Sequence, residues 1–252
     1  MNICGVSALV TGANRGLGAA FVDQLVARGA SRVYACARQP ERLETIARRH
    51  RDVVVPLCLD VTNDDDVSSA VEKASDITLL VNNAGRLDQL SLGEAGDLSS
   101  LRAEMEVNVF GLAHMSLAFA PVISSNGGGA IVNMLSAASL VPPPHFGSYA
   151  ATKAAAMSLT HSTRWDFEPL GVNVIGIYAG LIDTGMTENL SMSKSAPEEV
   201  ASRALDGLEA GEVDIAVDER SAMVRAKLHE GIEELLAGAR KRATKLRRSQ
   251  KK

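Results

Sequence analysis

The sequence predicts an α/β fold, a single doubly wound domain with a parallel sheet of about seven strands and helices on both faces. Two observations predict it. Short apolar runs alternate with stretches of helical periodicity almost to the end of the chain, as expected for parallel strands joined by helical crossovers. The 252 residues, 46% of them apolar, can also bury one large core, and no repeat or linker divides the chain. We therefore expect one domain over residues 1–239, followed by a basic tail.

Each strand is predicted where apolar, often β-branched residues run between turn residues. These runs are residues 7–11, 32–37, 53–60, 77–81, 130–135, 172–178 and 213–217. Each helix is predicted where apolar residues recur three and four positions apart. These stretches are residues 17–27, 40–49, 64–74, 99–122, 149–167 and 197–207. A C-terminal helix is expected from the apolar residues Met223, Leu228, Ile232, Leu235 and Leu236.

Two connections are expected to border a ligand site, because ligands of doubly wound sheets bind beyond the carboxyl ends of the strands. Residues 139–147 contain three successive prolines, which exclude a helix and predict a stiff wall. Residues 184–196 are short and mostly polar with a few apolar members, which predicts a mobile lid over an apolar pocket.

The formal charge of −4 is unevenly distributed. Residues 240–252 carry eight Lys and Arg residues and no acid, so residues 1–239 carry a charge of −12. Like charges without apolar residues predict a flexible, solvated tail that could at most attract an acidic partner weakly. The acidic body gives no reason to expect a nucleic-acid partner.

The composition favours a cytoplasmic location and no membrane partner. No segment reaches the roughly 18 uninterrupted apolar residues of a membrane span. The first residues lack a basic n-region, so no secretory signal is expected. Cys4, Cys36 and Cys58 cannot all pair and have no metal-ligand spacing, which favours free thiols in a reducing compartment.

A glycine-rich turn follows the first predicted strand and precedes the first helix. It reads Thr11-Gly-Ala-Asn-Arg-Gly-Leu-Gly18. Glycine permits a tight turn and lets a pyrophosphate approach the backbone, and a helix N-terminus attracts anions. Such a turn can also be only a turn, but its position between strand and helix favours a dinucleotide site.

Tyr149 and Lys153 stand four residues apart on a predicted helix, so both side chains leave the same face. An adjacent ammonium favours a phenolate, which would move the tyrosine pKa from about 10 towards the working range. A tyrosine tuned in this way can give or take a proton. This spacing alone is common on solvated helices, but Ser136 ends a buried strand thirteen residues upstream, and Asn108 lies in an apolar helix.

With the run Asn82-Asn-Ala-Gly85, these motifs make the sequence resemble the short-chain dehydrogenases/reductases, in their compact branch of about 250 residues. The resemblance extends from residue 7 to about residue 217. It implies a Rossmann-type fold and an oxidoreductase that transfers a hydride between a nicotinamide cofactor and a carbonyl or secondary alcohol.

The resemblance also implies a role for each catalytic residue. Tyr149 would be the general acid and base, and Ser136 would hydrogen-bond the substrate oxygen. Lys153 would lower the tyrosine pKa and bind the nicotinamide ribose. Asn108 would hold a water that connects the lysine to solvent, although its residue type also fits an amide packed inside a helix.

Further residues match the cofactor-binding positions of the family. They are Gly12, Asn14, Arg15, Gly16, Leu17, Gly18, Arg38, Asp60, Val61, Asn82, Ala84, Gly85, Tyr149, Lys153, Gly180, Ile182 and Thr184. Asp60 would contact the adenine, and it can also be a turn-capping residue. Ala179 replaces a proline of the family pattern, so we expect a looser loop before Gly180.

The end of the second strand favours NADP over NAD. Ala37 occupies the position, nineteen residues after Gly18, at which NAD-dependent enzymes carry an acid that binds the ribose 2′-hydroxyl. Arg38 follows it, and Arg15 lies in the glycine-rich turn. Guanidinium groups bind phosphate in bidentate fashion, so both could grip a 2′-phosphate.

The main functional hypothesis is an NADP(H)-dependent carbonyl reductase or alcohol dehydrogenase acting on a small molecule. The alternatives are a 3-oxoacyl-carrier-protein reductase, which basic residues at the site entrance would favour, and a dinucleotide-sensing regulator, which would tend to lack the tyrosine or lysine. We expect no catalytic metal, because His114 and His161 have no ligand partners at metal spacing. His145, four residues before Tyr149, is more typical of a pocket wall than of a second acid. The two long predicted helices indicate a homodimer or homotetramer.

Overall fold

A computed structural model of the chain describes residues 1–88, 93, 96–228 and 231. The basic tail and the end of the predicted C-terminal helix lie outside these residues. All seven strands are parallel and form one sheet in the order β3-β2-β1-β4-β5-β6-β7. Their bounds are β1 Ser7–Thr11, β2 Arg32–Ala37, β3 Val54–Cys58, β4 Leu79–Asn82, β5 Gly129–Met134, β6 Val172–Tyr178 and β7 Asp214–Ala216. The predicted doubly wound fold is confirmed.

Helices connect successive strands. They are α1 Gly16–Ala27, α2 Glu44–Arg49, α3 Asp64–Lys73, α4 Ser99–Met105, α5 Leu112–Ser125, α6 Gly147–Phe167, α7 Pro197–Glu209 and α8 Glu219–Leu228. Most bounds differ from the predicted ones by up to three residues. The predicted helix 40–49 begins as a 3₁₀ turn, Pro40–Leu43, with the proline at its first position, and continues as α2.

The core consists of two apolar layers, one on each face of the sheet. Successive side chains of β1 alternate between them, so Ala8 and Val10 lie in one layer and Leu9 in the other. The first layer is covered by α1 and α7, and the second by α3, α5 and the end of α6. Burial on both faces explains why β1 reads as a continuous apolar run.

The predicted helix 99–122 is present as one helical stretch, Ser99–Ser125, but its middle is not a regular α-helix. A π-helical segment, Glu106–Gly111, separates α4 from α5. At its end a Cβ on Gly111 would lie 2.5 Å from Val61 Cγ2, so close packing requires the glycine. Apolar periodicity cannot reveal such an extra residue. Ser99–Ser125 is the one helix, among those described, that is long and apolar enough to cross a membrane. Half of its most apolar stretch is buried inside the fold.

A polar cluster fastens the last strand to α6. Arg164 forms a two-pronged ion pair with Asp214, at 2.6 and 3.1 Å, and also donates to the carbonyl oxygens of Val174 and Val213. Burial alone would raise the pKa of Asp214, but the hydrogen bonds and charge of Arg164 outweigh it, so this pKa lies below its ordinary value.

Replacing this arginine is expected to destabilise the fold. Arg164→Met removes the two-pronged ion pair of the partly buried Asp214 carboxylate, which keeps only longer contacts to Tyr178 (3.3 Å) and His161 (3.5 Å), and should lower the free energy of unfolding by about 1–3 kcal/mol at neutral pH. Because the pKa of Asp214 is depressed in the folded state, this difference should shrink as the pH falls below about 4. Urea unfolding curves at several pH values measure it.

Arg203→Met is the matched control, because Arg203 pairs with Glu199 on the surface of α7 and both side chains are about half exposed. Its cost should stay below about 0.5 kcal/mol. Equal losses in the two variants would contradict the role given to the cluster.

Candidate active site

The glycine-rich turn between β1 and α1 is held against the segment that follows β4. Asn83 Nδ2 donates to the carbonyl oxygens of Thr11 (2.8 Å) and Gly12 (3.2 Å). The Thr11 hydroxyl accepts from the N–H groups of Asn83 and Ala84, at 3.0 and 2.9 Å. A Cβ on Gly18 would lie 2.2 Å from the Gly12 carbonyl oxygen, so no side chain fits there. Close backbone contacts therefore determine the shape of the turn.

The N-terminus of α1 opens beside this turn. The helix begins at Gly16, Arg15 makes no side-chain capping hydrogen bond, and the first turn has no acidic residue. N–H groups in this position, together with the helix dipole, attract phosphate groups. Leu17 is buried in the core and Asn14 is half-buried at the turn. A Cβ on Gly16 would lie 2.9 Å from the Thr184 methyl group, so the segment after β6 adjoins the turn, and the residues present fit a dinucleotide pyrophosphate.

The predicted adenine end of the site lies at the carboxyl ends of β2 and β3. Ala37 is buried, and Arg38 and Arg15 are exposed. Neither arginine forms an ion pair within the part of the chain that the structure describes. The Asp60 carboxylate accepts from the N–H (3.0 Å) and hydroxyl (2.8 Å) of Thr62, so it caps a turn at this edge. Both guanidinium groups are therefore not engaged in ion pairs among the described residues at this end.

The Asn82 side chain is buried at the end of β4 and forms part of a hydrogen-bonded chain beneath the site. Its Nδ2 donates to Asn133 Oδ1 (2.9 Å) on β5 and to Ser116 Oγ (3.1 Å) on α5. Asn133 Nδ2 donates in turn to Thr160 Oγ1 (3.0 Å) on α6. This buried chain joins two strands and two helices beneath the site. Val61, another predicted cofactor residue, is buried in the core.

Asn108, in the π-helical segment, clamps the backbone that follows β4. Its Oδ1 accepts from the Arg86 N–H (2.8 Å), and its Nδ2 donates to the Arg86 carbonyl (2.9 Å) and to Thr152 Oγ1 (2.9 Å). The same oxygen would lie 3.4 Å from a Cβ on Gly85, so the chain passes close by. Both amide donors are used, and a water held by this side chain would depend on the remaining lone pair of Oδ1.

The other three predicted catalytic residues converge at the carboxyl end of β5. The Ser136 hydroxyl hydrogen-bonds Tyr149, and it also lies 3.3 Å from the Ala179 carbonyl oxygen. Lys153 Nζ donates to the Met134 carbonyl oxygen at 2.7 Å and lies 5.7 Å from the centre of the Tyr149 ring. The structure therefore brings serine, tyrosine and lysine together at the edge of the sheet that carries the glycine-rich turn.

Burial governs the protonation of this pair. It raises the pKa of Tyr149 to about 12, against the opposing hydrogen bond from Ser136, and the negative charge of Glu104 adds to the rise. Burial also lowers the pKa of Lys153 to about 8. The net shift of the Tyr149 pKa is opposite to the lowering expected from Lys153, because burial is the largest effect on the phenol and the ammonium is directed to the Met134 carbonyl oxygen.

The loop after β6 is fixed at several points. The Ala179 carbonyl accepts from the Ala137 N–H at 2.8 Å as well as from Ser136. The Gly180 N–H donates to Asp218, a buried carboxylate that follows β7, at 2.5 Å. These contacts hold the loop more firmly than the missing proline led us to expect. The contact with Asp218 was not predictable, because this residue lies 38 positions further along the sequence.

Main-chain hydrogen bonds join the two ends of the predicted lid, residues 184–196. Ile182 forms an isolated β-bridge with Ser195. The Asp183 N–H donates to the Ser195 carbonyl (2.9 Å), and the Ser195 N–H donates to the Leu181 carbonyl (2.8 Å). The Thr187 hydroxyl donates to the Ile182 carbonyl from inside the loop. Both ends of the segment are therefore held together above α1.

The model of the short chain dehydrogenase family matches residues 7–195, well over half of the chain. The chain belongs to the short-chain dehydrogenase family. It is 37% identical over 194 residues to 2-(R)-hydroxypropyl-CoM dehydrogenase of Xanthobacter autotrophicus, across 72% of this chain and 76% of that protein.

Two crystal structures of short-chain dehydrogenases are similar over almost the whole chain. One, from Burkholderia cenocepacia in complex with NADP, has a TM-score of 0.89 and 40% identity, and the match covers 95% of this chain and 99% of that one. Another, from Burkholderia phymatum in complex with NAD, has a TM-score of 0.82 and 25% identity over 93% and 96% of the two chains. This short-chain dehydrogenase is therefore an enzyme of the class that oxidises alcohols and reduces carbonyl groups.

Sequence reasoning missed several residues that support the site of this short-chain dehydrogenase. Asn83 and Thr11 hold the glycine-rich turn, although only their neighbours were singled out. Thr152 connects Asn108 to the Tyr149 helix. Glu104 stands one helical turn before Asn108 and is completely buried. An acid among apolar helix residues indicates a buried carboxylate, but the sequence does not show that its partner is the Asp88 N–H.

The histidines serve other purposes. Within the described ranges no group of three or more His, Cys, Asp or Glu side chains could hold a metal ion. His114 lies 3.7 Å from Asp64, and His161 contacts the Tyr178 hydroxyl at 3.1 Å. His145 adopts a left-handed backbone with φ of 65°, which is uncommon outside glycine, in the predicted proline-rich wall.

Proposed function

We propose that this enzyme transfers a hydride between NADP(H) and a carbonyl or secondary alcohol substrate, with Tyr149 as general acid and base. The observation that carries the proposal is the hydrogen bond between Ser136 and Tyr149, with Lys153 Nζ 5.7 Å from the phenol ring. These groups lie at the carboxyl ends of the strands, where doubly wound sheets bind ligands. The glycine-rich turn and the N-terminus of α1 would hold the pyrophosphate, and Thr184 and Ile182 would lie beside the nicotinamide.

The nicotinamide, when bound, supplies or accepts the hydride. In reduction Tyr149 donates its phenolic proton to the substrate oxygen, and Ser136 stabilises the charge that develops there. A tyrosine whose pKa is raised to about 12 is protonated at neutral pH and is ready for this step. Lys153, whose pKa is lowered to about 8, can return a proton to the phenolate afterwards. In oxidation the same groups work in reverse.

The alternative functions receive less support. A carrier-protein reductase would need basic residues free at the site entrance. Arg86 is paired with Asp88 at 2.8 Å, and Lys194 lies 3.5 Å from Asp183. Arg15 and Arg38, by contrast, form no ion pair in the described structure, but they are assigned to the cofactor phosphate. A dinucleotide-sensing regulator would not need the complete set of serine, tyrosine and lysine that this site contains.

Tyr149→Phe tests the role of the proton donor. Removing the hydroxyl should lower kcat for carbonyl reduction by at least about 100-fold, while the Kd of the cofactor changes only a few-fold. Steady-state kinetics and fluorescence titration of the cofactor measure the two quantities. Tyr34→Phe is the control, because its hydroxyl contacts Asp76 (2.8 Å) on another part of the sheet. Substantial activity in Tyr149→Phe would assign the acid to another residue, with His145 the first candidate.

The preference for NADP forms part of the same proposal. It is supported by two exposed arginines without ion pairs in the described structure, Arg15 and Arg38, and by the small, buried Ala37. The guanidinium of Arg15 would lie 3.3 Å from a Cβ on Gly185, so the residues after β6 border the same region. A 2′-phosphate would find two guanidinium groups at this end that are not engaged in ion pairs among the described residues, and no acid at position 37.

Ala37→Asp tests this preference. The new carboxylate should repel a 2′-phosphate and lower kcat/KM for NADPH at least about 10-fold more than for NADH. Ala37→Asn is nearly the same size but neutral, and separates charge from steric effects. A wild-type enzyme that prefers NADH would overturn the proposed roles of Arg15 and Arg38.

The proposal includes self-association through α5, α6 and the π-helical segment. Phe110, Leu117 and Trp165 are 60, 65 and 76% exposed on these elements. Large apolar side chains grouped on neighbouring helices indicate an interface, and a second copy related by two-fold symmetry would bury them.

Changing two of these side chains should separate the copies. The double variant Leu117→Glu, Trp165→Glu should be monomeric at micromolar concentration, whereas the wild type should be a dimer or tetramer, as measured by light scattering. Met223→Glu, at a 50% exposed position on α8, is the control and should keep the wild-type assembly. A monomeric wild type would refute the interface.

We also propose a cytoplasmic location. Cys4, Cys36 and Cys58 are all free thiols, which fits a reducing compartment.

A further inference from the structure

Glu104 is a buried carboxylate with an unfilled hydrogen-bonding capacity. The side chain is completely buried in α4. Its Oε1 accepts from the Asp88 N–H at 2.9 Å, whereas its Oε2 has no hydrogen-bond partner among the described residues. A buried carboxylate oxygen without a partner costs free energy, and structures retain such a group when it acts on a neighbour or a ligand.

Glu104 lies on a helix that packs against the helix of Tyr149. Helix α4 packs against α6, which carries the tyrosine, and the carboxylate disfavours the phenolate form of Tyr149. The nearest cation on the adjoining segment is Arg86, which uses its guanidinium for Asp88 at 2.8 and 3.1 Å. The charge of Glu104 is therefore not neutralised by a direct ion pair in this part of the structure.

Glu104 and Asn108 both hydrogen-bond the backbone of the segment that follows β4. The two residues are one helical turn apart, and they hold successive parts of the same segment, Asp88 and Arg86 respectively. Asn108 then reaches Thr152, whose hydroxyl donates to the Tyr149 carbonyl at 2.8 Å. The carboxylate is thus fixed relative to the phenol by the same framework that holds the predicted catalytic residues.

We propose that Glu104 is a positioning residue that keeps Tyr149 in its protonated form and so favours carbonyl reduction. This inference rests on the proposed function, because it assumes that Tyr149 is the proton donor. A fixed negative charge on α4, which packs against the helix that carries the phenol, opposes ionisation of Tyr149, which extends proton donation to higher pH and delays the phenolate that alcohol oxidation requires.

Other charged groups around Tyr149 have to be separated from this effect. Lys153, on the same helix, favours the phenolate. The Arg86–Asp88 pair is close to neutral as a unit, and His145 lies in the loop that precedes α6. The test therefore changes the charge of Glu104 alone and leaves all of these residues in place.

Glu104→Gln removes the charge and keeps an oxygen that can accept from the Asp88 N–H. The alkaline limb of the kcat/KM profile for reduction should move to lower pH by about one unit, and the rising limb for oxidation should move in the same direction. Glu106→Gln is the matched control, because Glu106 is exposed two residues further along the chain. Its profile should stay within about 0.2 pH unit of the wild type. Equal shifts in both variants would overturn the proposal, and an unchanged profile for Glu104→Gln would overturn its claim on carbonyl reduction.

A second measurement does not depend on turnover. The near-ultraviolet absorbance of tyrosinate, followed by pH titration of the NADP complex and corrected with Tyr149→Phe, reports the ionisation of this phenol directly. Glu104→Gln should shift it to lower pH by the same amount as the kinetic limbs. If the spectroscopic shift occurs without a kinetic one, the coupling stands and Tyr149 is not the proton donor; if neither occurs, Glu104 has no such role.

Glu104→Met serves as a second variant should the glutamine substitution prevent folding, because it removes the charge without burying an unpaired amide. It should produce the same shift towards lower pH. A folded Glu104→Met enzyme with wild-type limbs would equally overturn the proposal.

Discussion

The site depends on one constraint, the hydrogen bonds that join the carboxyl ends of β1 and β4. These neighbouring strands connect to helices on opposite faces of the sheet, so the chain separates at this point and leaves a crevice. Thr11 and Asn83 hold the two edges together through four hydrogen bonds to backbone groups. Because Gly18 packs onto the Gly12 carbonyl, the position of the α1 N-terminus follows from the same contacts. The place where a pyrophosphate can bind is therefore set by the packing of the sheet.

Desolvation is the dominant electrostatic effect at the candidate catalytic residues. It acts in opposite directions on the two partners, because each is driven towards its neutral form: the pKa of Tyr149 rises and that of Lys153 falls. In this state the pair consists of a firmly protonated phenol and a lysine that titrates near neutral pH. Proton exchange between the site and solvent is thus easier through the lysine than through the tyrosine.

Much of the fold could be predicted from the sequence, because strands buried on both faces and the alternation of strands and helices leave strong patterns. The serine, tyrosine and lysine were identified by spacing and were found together. The contacts made by Asp218 and Asn83 could not be predicted, since they join residues distant in sequence through backbone groups that any residue possesses. The tyrosine pKa was predicted in the wrong direction, because residue spacing indicates which charges are near but not how much water is excluded.

The π-helical segment links the backbone after β4 to the helix that carries Tyr149. Asn108 lies inside it, and its amide satisfies two backbone groups of Arg86 and the Thr152 hydroxyl. A regular helix would carry one residue fewer at this place and would turn Asn108 and Glu104 relative to one another. The irregular turn lets one side chain hold the segment after β4 and the tyrosine helix, while the carboxylate one turn earlier holds the next residues of the same segment. The local departure from ideal helix geometry is therefore what allows α4 and α5 to contribute both structure and charge to the site.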